Sequence, residues 1–451
     1  MSRKLFGTDG IRGVAGEFPL DGNTIFAIGR ALGHHLDRGD RRPRVVIGQD
    51  TRESSAWIGN TVAAGLTSSQ TEVASAGVIT TPGIAFLARE LHFDAGIVIS
   101  ASHNPWTDNG IKVFGGDGYK LSDEMELSIE KEIFRLIEQR AEPKSSEPTH
   151  STLPGDHSLQ ERYETWLKAR VSPPNILGKI VIDCANGAAS ACAPELFALL
   201  GLRADFIHWQ PDGKNINDHC GALYPQIVAE EVKKRGAVMG VTFDGDADRA
   251  LFADRHGSVV NGDAVLLMAA RDLQSRNELE AATVVATTMS NMGLEAALKK
   301  SAIHMLRAPV GDKYVLEEMR RTGAVLGGEQ SGHIIFSRVA TTGDGLLTAL
   351  MVLEIISRTG KQLDELVSDL KVFPQVIKNV RVREKQPLDQ IVQVNSAIRR
   401  AEQDLAGNGR VVVRYSGTEP LARVMIEAES KEKMQTHAEA IAGAIQQTIG
   451  A

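Results

Sequence analysis

"GIVISASHNPWTDNGIKVFGGDGYKL", Gly96–Leu121, opens as an apolar run and then breaks into a serine, a histidine, an asparagine and a proline. A short β-branched run of this kind predicts a strand covered on both faces, as in an α/β sheet. In such sheets functional groups collect beyond the carboxyl ends of the strands, and Ser102 falls there. Ser, Asn and Pro are equally the residues of a tight turn, so the segment alone also fits a plain loop. A hydrolase elbow is disfavoured because no G-x-S-x-G is present, and "GGEQSGH" has a different spacing. His103 adjoins Ser102, and neighbours on an extended chain point to opposite sides, so no Ser-His dyad is expected. Ser102 needs another activator.

The strand signature recurs along the chain. "RVVIG" from Arg44, "AGIVIS" from Ala95, "KIVID" from Lys179, "AVMGVTFD" from Ala237 and "TVVATT" from Thr283 alternate with amphipathic stretches such as Ser54–Ser68 and Asp123–Gln139. This rhythm predicts an α/β fold with buried, largely parallel strands. "RVVIGQDTRESS", "KIVIDCANGAAS" and "TVVATTMSNMGL" resemble weak copies of one unit. A threefold repeat and chance likeness among strands both account for that pattern. The Pro-, Ser- and charge-rich Gln139–Ser158 reads as a linker, with further boundaries near Arg255–Gly262 and Lys371–Gln375. The expected domains are therefore 1–150, 158–255, 256–370 and 375–451. The last is a separate mixed unit, with strands "VIKNVRV" and "RVVVRYS" and a final helix from about Ser430 carrying Met434, Ala438, Ile441 and Ile445 on one face.

Bulk properties exclude several classes of function. With 451 residues, 42% hydrophobic and 24% charged, the chain has the composition of an ordinary globular protein. A net charge of −7 carries no nucleic-acid footprint. Cys184, Cys192 and Cys220 are odd in number and lack CxxC spacing, which favours reduced thiols in a cytoplasm. No apolar leader opens the chain, and no run approaches the roughly 18 residues of a membrane span. A soluble, cytoplasmic protein with no membrane partner is expected.

Three more loops carry chemistry. "VTFDGDADRALF" places Asp244, Asp246 and Asp248 two residues apart, on one side of an extended chain. Three crowded carboxylates are costly without a cation, and oxygen-only ligands suit Mg²⁺. An EF-hand is excluded because Arg249 and Arg255 stand where Gly and Glu are required. A solvated acidic turn is the plain alternative. Arg249 could hold a phosphate oxygen beside the metal. In "LGGEQSGHIIF", Glu329, Ser331 and His333 alternate and could meet a sugar's hydroxyls, or simply form a Gly-rich turn. In "RYSGTEPLAR", Ser416, Gly417 and Thr418 offer an anion nest flanked by Arg414 and Arg423, against a salt-bridged surface turn. Neither a P-loop nor GxGxxG is present. Together the loops specify a metal, a nucleophilic serine, a polyol site and a second anion site. Two phosphate positions suggest a phosphoryl group that leaves one end of a sugar and returns to the other.

"SASHNP", "FDGDADR", "GGEQSGH" and "YSGTEP" resemble, in order and across the whole chain, the four signature loops of the α-D-phosphohexomutase superfamily. The resemblance implies a four-domain, heart-shaped α/β architecture, three similar α/β domains followed by a C-terminal α+β domain. It implies that Ser102 is a phosphoserine completing a Mg²⁺ site with Asp244, Asp246 and Asp248. Glu329 and Ser331 would hold sugar hydroxyls, and Arg414, Ser416, Gly417, Thr418 and Arg423 the phosphate that is not reacting. Arg12, Lys112, Arg249 and His333 match positions lining the family's active site as charge stabilisers or acid/base groups, and His103 could be structural. Tyr415 stands where Pro is common and Lys313 where Arg is frequent.

"KLFGTDGIRG" and Gln330 resemble the members acting on hexosamine phosphates. That implies interconversion of glucosamine 6-phosphate and 1-phosphate with glucosamine 1,6-bisphosphate as intermediate and activator, feeding UDP-N-acetylglucosamine and cell-wall precursors. A homodimer is a further family expectation. Members acting on mannose or glucose phosphates are the alternative. An aspartyl phosphatase using Asp244 and Asp246, or a sugar-phosphate sensor without catalysis, are the rivals outside the mutases.

Overall fold

The computed structural model describes residues 4–7, 9–39, 41–139, 153–172, 174–416 and 420–451. The chain divides into two compact units, Met1–Thr287 with Leu306–Ser368, and Thr288–Met305 with Asp369–Ala451.

In the first unit the chain forms β1 (Phe6–Gly7), β2 (Gly10–Val14), α1 (Gly22–Leu36), β3 (Arg44–Gln49), α2 (Ser55–Thr67), β4 (Glu72–Val78), α3 (Thr81–Glu90), β5 (Ala95–Ile99), β6 (Asp108–Gly115) and α4 (Asp123–Gln139). The sheet order is β1-β2-β6-β5-β3-β4. Helix α5 (His157–Lys168) leads into β7 (Ile180–Asp183), α6 (Ala189–Leu199), β8 (Ala204–Ile207), α7 (Pro225–Arg235), β9 (Met239–Phe243), β10 (Ala250–Asp254), β11 (Val259–Val260) and α8 (Gly262–Ser275). Their sheet runs β11-β10-β9-β7-β8. A third sheet, β13-β12-β14-β15, uses β12 (Thr283–Thr287), β13 (His304–Ala308), β14 (Leu326–Gly328) and β15 (Ile334–Phe336). Its helices are α10 (Asp312–Thr322) and α11 (Gly345–Thr359), with a short α12 (Leu363–Leu366) following, while α9 (Met292–Lys300) belongs to the second unit.

One motif is present three times. In β4-β3-β5-β6, β8-β7-β9-β10 and β13-β12-β14-β15 the first strand in sequence lies inside, flanked by the second and third, and a fourth closes the set. The three copies suggested by the sequence begin at β3, β7 and β12, the inner strand each time. The buried, parallel strands expected from the sequence are the five runs singled out there, β3, β5, β7, β9 and β12, and each set adds an antiparallel fourth strand. β3 is parallel to β4 and β5, β7 to β8 and β9, and β12 to β14, but β6, β10 and β15 run antiparallel to their neighbours. Each fourth strand returns through a hairpin, which only an antiparallel neighbour permits. Its residues are as buried as those of a parallel strand, so the sequence pattern does not separate the two. The three hairpins carry Ser102, Asp244–Asp248 and Glu329–His333. The candidate site is thus built from the same position of one repeated motif.

Strand β5, which aims the serine, is buried at every residue, and Ile97 and Ile99 lie in one core with Ile25, Ile28, Val62 and Leu66 from α1 and α2. Asp21 caps α1 by accepting from the backbone of Asn23 and Thr24. Thr80 does the same for α3 through Gly83 N. Residues 140–152 of the expected linker lie outside the described residues.

In the second unit β16 (Gln375–Arg381), α13 (Val392–Asp404), β17 (Gly409–Tyr415), β18 (Leu421–Ala428) and α14 (Lys431–Ile449) form an antiparallel sheet, β16-β18-β17, covered by helices. Met434, Ala438, Ile441 and Ile445 are buried in its core, as their spacing predicts. The segment holding α9 is fastened here by Arg410, which donates to the carbonyls of Thr288 (2.7 Å) and Ser290 (2.6 Å). Asn291 donates to the buried Glu427 carboxylate at 2.8 Å.

A Cβ added at Gly29 of α1 would lie 2.1 Å from the Val62 carbonyl oxygen of α2, where the two helices cross. Gly29→Ala gains about 1 kcal/mol of helix propensity but overpacks a rigid backbone contact, at a cost of about 1–3 kcal/mol. The substitution is expected to lower the thermal unfolding midpoint, and a raised midpoint in a melting scan would contradict this packing.

Candidate active site

Strand β5 delivers Ser102 into a left-handed backbone conformation, φ +53°. That turn changes a sequence expectation. Because residue 102 is not extended, the side chains of Ser102 and His103 do not diverge, and His103 Nδ1 lies 3.3 Å from Ser102 Oγ. Burial, then the guanidiniums of Arg249 and Arg12, push the His103 ring down to about 4, so it is neutral near pH 7. The Ser102 hydroxyl donates to Asp244 Oδ2 at 2.5 Å. Its backbone N–H donates to Ser100 Oγ at 2.9 Å, and its carbonyl accepts from Arg52 and Asn217, each at 2.9 Å. A Cβ on Gly245 would sit 2.4 Å from that carbonyl oxygen, so only glycine lets the acidic loop close onto the serine loop.

The acidic loop is a turn and not the extended segment expected. Ala247 N donates to the Asp244 carbonyl, and Ala247 has φ +55°. The turn still gathers the carboxylates: Asp244, Asp246 and Asp248 are buried, with one oxygen from each within 4.8 Å of the others. Asp246 Oδ1 and Asp248 Oδ1 are buried and accept no hydrogen bond. A buried carboxylate oxygen without a donor is costly, and a hard divalent cation is the partner an all-oxygen set fits. The cluster is consistent with a metal ion. Burial, then the charges of Asp248 and Asp246, hold the Asp244 carboxyl well above its ordinary range.

Cations from the antiparallel part of the first sheet oppose this charge. Lys112 on β6 places Nζ 2.7 Å from Asp246 Oδ2, 2.9 Å from Asp9 Oδ2 and 3.7 Å from Asp248 Oδ2. Burial works against its charge, but Asp246, Asp9 and Asp248 outweigh burial and hold the ammonium above its ordinary value. Thr81 Oγ1 also donates to Asp246 Oδ2, at 2.5 Å. Arg12, on β2 opposite Gly110, pairs with Asp9. Arg249 donates its backbone N–H to Asp244 Oδ1 at 3.2 Å and holds its guanidinium Nε 3.8 Å from Asp248 Oδ1. Lys120 joins Asp9 to Asp312, extending the alternation of charge.

The third hairpin brings His333 to the same cluster, Nδ1 3.5 Å from Asp248 Oδ2 and Nε2 3.8 Å from Asp312 Oδ2. Burial lowers its pKa, while Asp248, Asp312 and Glu329 push it up to about 9. The Gly343 backbone N–H points at Nε2 from 3.1 Å, which requires a lone pair there. The two observations pull in opposite directions, and because a backbone donor cannot rotate away, the ring is read as neutral against the push of the carboxylates, with its proton on Nδ1 facing Asp248. Glu329 and Ser331 are half-buried, with Oε2 and Oγ 3.5 Å apart, and Glu329 Oε1 accepts from Gly311 N at 3.1 Å. Lys313 pairs with Asp123.

In the second unit Arg414 and Arg423 stand directly opposite each other on β17 and β18, and Asn379 of β16 is opposite Arg423. Directly opposed like charges are destabilising in a sheet unless an anion bridges them. Burial and Arg423 together lower the Arg414 pKa. The pair lines a cavity of about 290 Å³ with Asn379, Met289 and Met425. Ser416 is buried and donates its N–H to the Leu421 carbonyl at 2.8 Å, while its own carbonyl accepts from Lys385. Gly417 and Thr418 lie outside the described residues.

The structure therefore groups Ser102, the three aspartates, Lys112, Arg249 and His333 in one place, with Arg12 joined to them through Asp9. Sequence reasoning missed Asp9, Arg52, Thr81, Lys120, Asn217, Asp312 and Asn379. Asp9 lies inside "KLFGTDGIRG" and Arg52 inside "QDTRESS", so a polar cluster at a strand end was the available signal for both.

Models of the phosphoglucomutase/phosphomannomutase family match the chain in four consecutive pieces. These are alpha/beta/alpha domain I over residues 3–140, domain II over 167–257, domain III over 261–373 and the C-terminal domain over 377–444. The phosphoglucosamine mutase of Koribacter versatilis is 62% identical over 99% of this chain and 98% of that protein. The phosphoglucosamine mutase of Solibacter usitatus is 51% identical over the full length of both. Among solved structures, a phosphoglucomutase/phosphomannomutase family protein of Burkholderia thailandensis shares 25% identity with a TM-score of 0.79, covering 98% of this chain and 97% of that one. Aspergillus fumigatus N-acetylphosphoglucosamine mutase, in complex with GlcNAc-6P and magnesium, shares the fold at 18% identity and a TM-score of 0.67, over 98% and 96% of the chains. A serine above three aspartates, on hairpins of a thrice-used α/β motif, is thus found with near-full-length likeness to one group of enzymes, and the chain belongs to the phosphoglucosamine mutases of the phosphohexomutase superfamily.

Proposed function

We propose that this intramolecular phosphotransferase interconverts glucosamine 6-phosphate and glucosamine 1-phosphate by way of a phosphate carried on Ser102. The observation that carries the reading is the Ser102 hydroxyl 2.5 Å from Asp244, at the rim of a buried three-carboxylate cluster. A phosphoserine brings about −1.5 to −2 charge at pH 7, which this cluster tolerates only when cations stand with it. Asp244, Asp246, Asp248 and the Ser102 phosphate would hold Mg²⁺, which when bound neutralises charge and polarises the phosphoryl oxygens.

The chain's own groups do the rest. In the forward direction the sugar's 1-hydroxyl attacks phosphorus, the bond to Ser102 Oγ breaks, and a bond to O1 forms. Oγ recovers a proton as the sugar hydroxyl loses one. Lys112 and Arg249, held charged by the aspartates, face the transferring group with donors already oriented, so little reorganisation accompanies the transfer. The 1,6-bisphosphate then turns end for end, and its 6-phosphoryl group returns to Ser102. Arg414 and Arg423, with Ser416, Gly417 and Thr418, would hold whichever phosphate is not reacting, and the opposed arginines supply the reason for an anion there. Glu329 and Ser331 can accept from vicinal hydroxyls in either orientation of the ring. A fixed left-handed Ser102 and a single acid cluster serve both half-reactions.

The four-domain boundaries proposed above, a hexosamine phosphate substrate, a glucosamine 1,6-bisphosphate activator and a cytoplasmic setting belong to the same reading. The three cysteines are buried and free, and among the described residues no helix is long and apolar enough to cross a membrane. The reaction product would feed UDP-N-acetylglucosamine synthesis.

With Mg²⁺ and a trace of bisphosphate, the protein is expected to form 1-phosphate from glucosamine 6-phosphate in clear preference to glucose or mannose 6-phosphate. Preference for either of the latter would assign a different sugar. Ser102→Ala is expected to lower kcat by roughly a thousandfold or more while substrate binding by calorimetry persists; near-normal turnover would sink the phosphoserine mechanism. EDTA should abolish turnover and added Mg²⁺ restore it, and activity undiminished by exhaustive chelation would show that the aspartates need no metal.

A further inference from the structure

Both ends of the Ser102 backbone lead to one buried pair of side chains. Arg52 and Asp50 lie in "QDTRESS", the loop after β3, and neither side chain is exposed to solvent. Arg52 has five N–H donors and all five are used. Nε donates to Asp50 Oδ2 at 2.8 Å, and one terminal nitrogen donates to the carbonyls of Pro105 and of Asp108, the latter at 2.9 Å. The other terminal nitrogen donates to the carbonyls of Ser102 and Asn104, each at 2.9 Å. Asp50 in turn accepts from Ser100 Oγ at 2.6 Å and Ser55 Oγ at 2.7 Å, and Ser100 Oγ accepts the Ser102 N–H at 2.9 Å. The Ser102 carbonyl is thus held by Arg52, and its N–H is held through Ser100 by Asp50.

We infer that the Arg52–Asp50 pair is a positioning device for phosphoryl transfer, fixing the left-handed Ser102 so that Oγ stays in line with the acid cluster. The inference rests on the reading of Ser102 as the phosphate carrier. Ser102 needs such a hold because a non-glycine residue at φ +53° persists only where its surroundings over-determine it. Arg52 reaches the serine only through backbone atoms, so it acts on geometry and not on the reacting group. A planar fork is required: lysine offers three donors from one point and cannot span four carbonyls and a carboxylate. The guanidinium adds to the donors that the buried turn already has, Asn217 at the Ser102 and Asn104 carbonyls and the Asp108 N–H at that of Pro105.

The test uses the full-length enzyme with saturating Mg²⁺ and glucosamine 6-phosphate. Arg52→Lys is expected to lower kcat about 100-fold, the scale of a small misplacement of a reacting group, with KM changed less than about threefold. Ser100→Ala, which cuts only the link from the Ser102 N–H to Asp50, is expected to lower kcat about tenfold with KM again unchanged, and provides the answer if Arg52→Lys does not fold. Rates are normalised to folded protein by circular dichroism, and phosphate on Ser102 is mapped by mass spectrometry in every sample. Wild-type rates in both folded variants, or losses that only follow the folded fraction, would overturn the positioning role. Wild-type enzyme that turns over without phosphate ever appearing on Ser102 would overturn the underlying mechanism instead.

Discussion

Asp244, Asp246 and Asp248 hold three carboxylates within 4.8 Å of one another and out of water, with two oxygens lacking any donor. No chain keeps such a group without compensation, because each buried charge carries a desolvation cost of several kcal/mol. Much of the surrounding architecture answers that cost. Lys112 is driven into the cluster from the fourth strand of the first sheet, Arg249 follows the last aspartate, and His333 arrives from the third hairpin. Asp9 and Lys120 then balance Lys112 and Asp312 in turn. The charges alternate outward from the cluster, with Lys112 between Asp246 and Asp9 and Lys120 between Asp9 and Asp312.

The repeat explains how three distant segments reach one place. Each copy of the motif ends its third strand at a hairpin, and a buried strand is a rigid mount. Ser102, the aspartates and Glu329–His333 occupy the same hairpin in successive copies, so one structural solution presents all three groups of side chains. The fourth loop belongs to an antiparallel sheet where Arg414 and Arg423 face each other.

Much of this was legible in the sequence, for local reasons. Runs such as "KIVID" announce buried strands, and three acids at alternate positions announce carboxylates gathered in one place. What was not legible depends on contacts far apart in sequence or on backbone torsions. The antiparallel strands β6 and β10 were not singled out, because burial on both faces leaves no alternation to mark them. The approach of His103 to Ser102 was missed because the alternation rule assumes extended backbone, and φ at Ser102 is +53°. The acids do converge, but through a turn and not along a strand. Arg52 reads as one more charge in a polar loop; only the fold reveals that it sits beneath the serine 50 residues on.

The most direct measurement follows the phosphoryl group itself. Enzyme isolated with phosphate on Ser102 is mixed with one equivalent of glucosamine 6-phosphate and quenched within a single turnover, and the products are read by ³¹P NMR. The account predicts loss of the phosphoserine signal matched by glucosamine 1,6-bisphosphate, followed by glucosamine 1-phosphate as phosphate returns to Ser102. Release of inorganic phosphate, or 1-phosphate formed while the phosphoserine signal stays untouched, would contradict it.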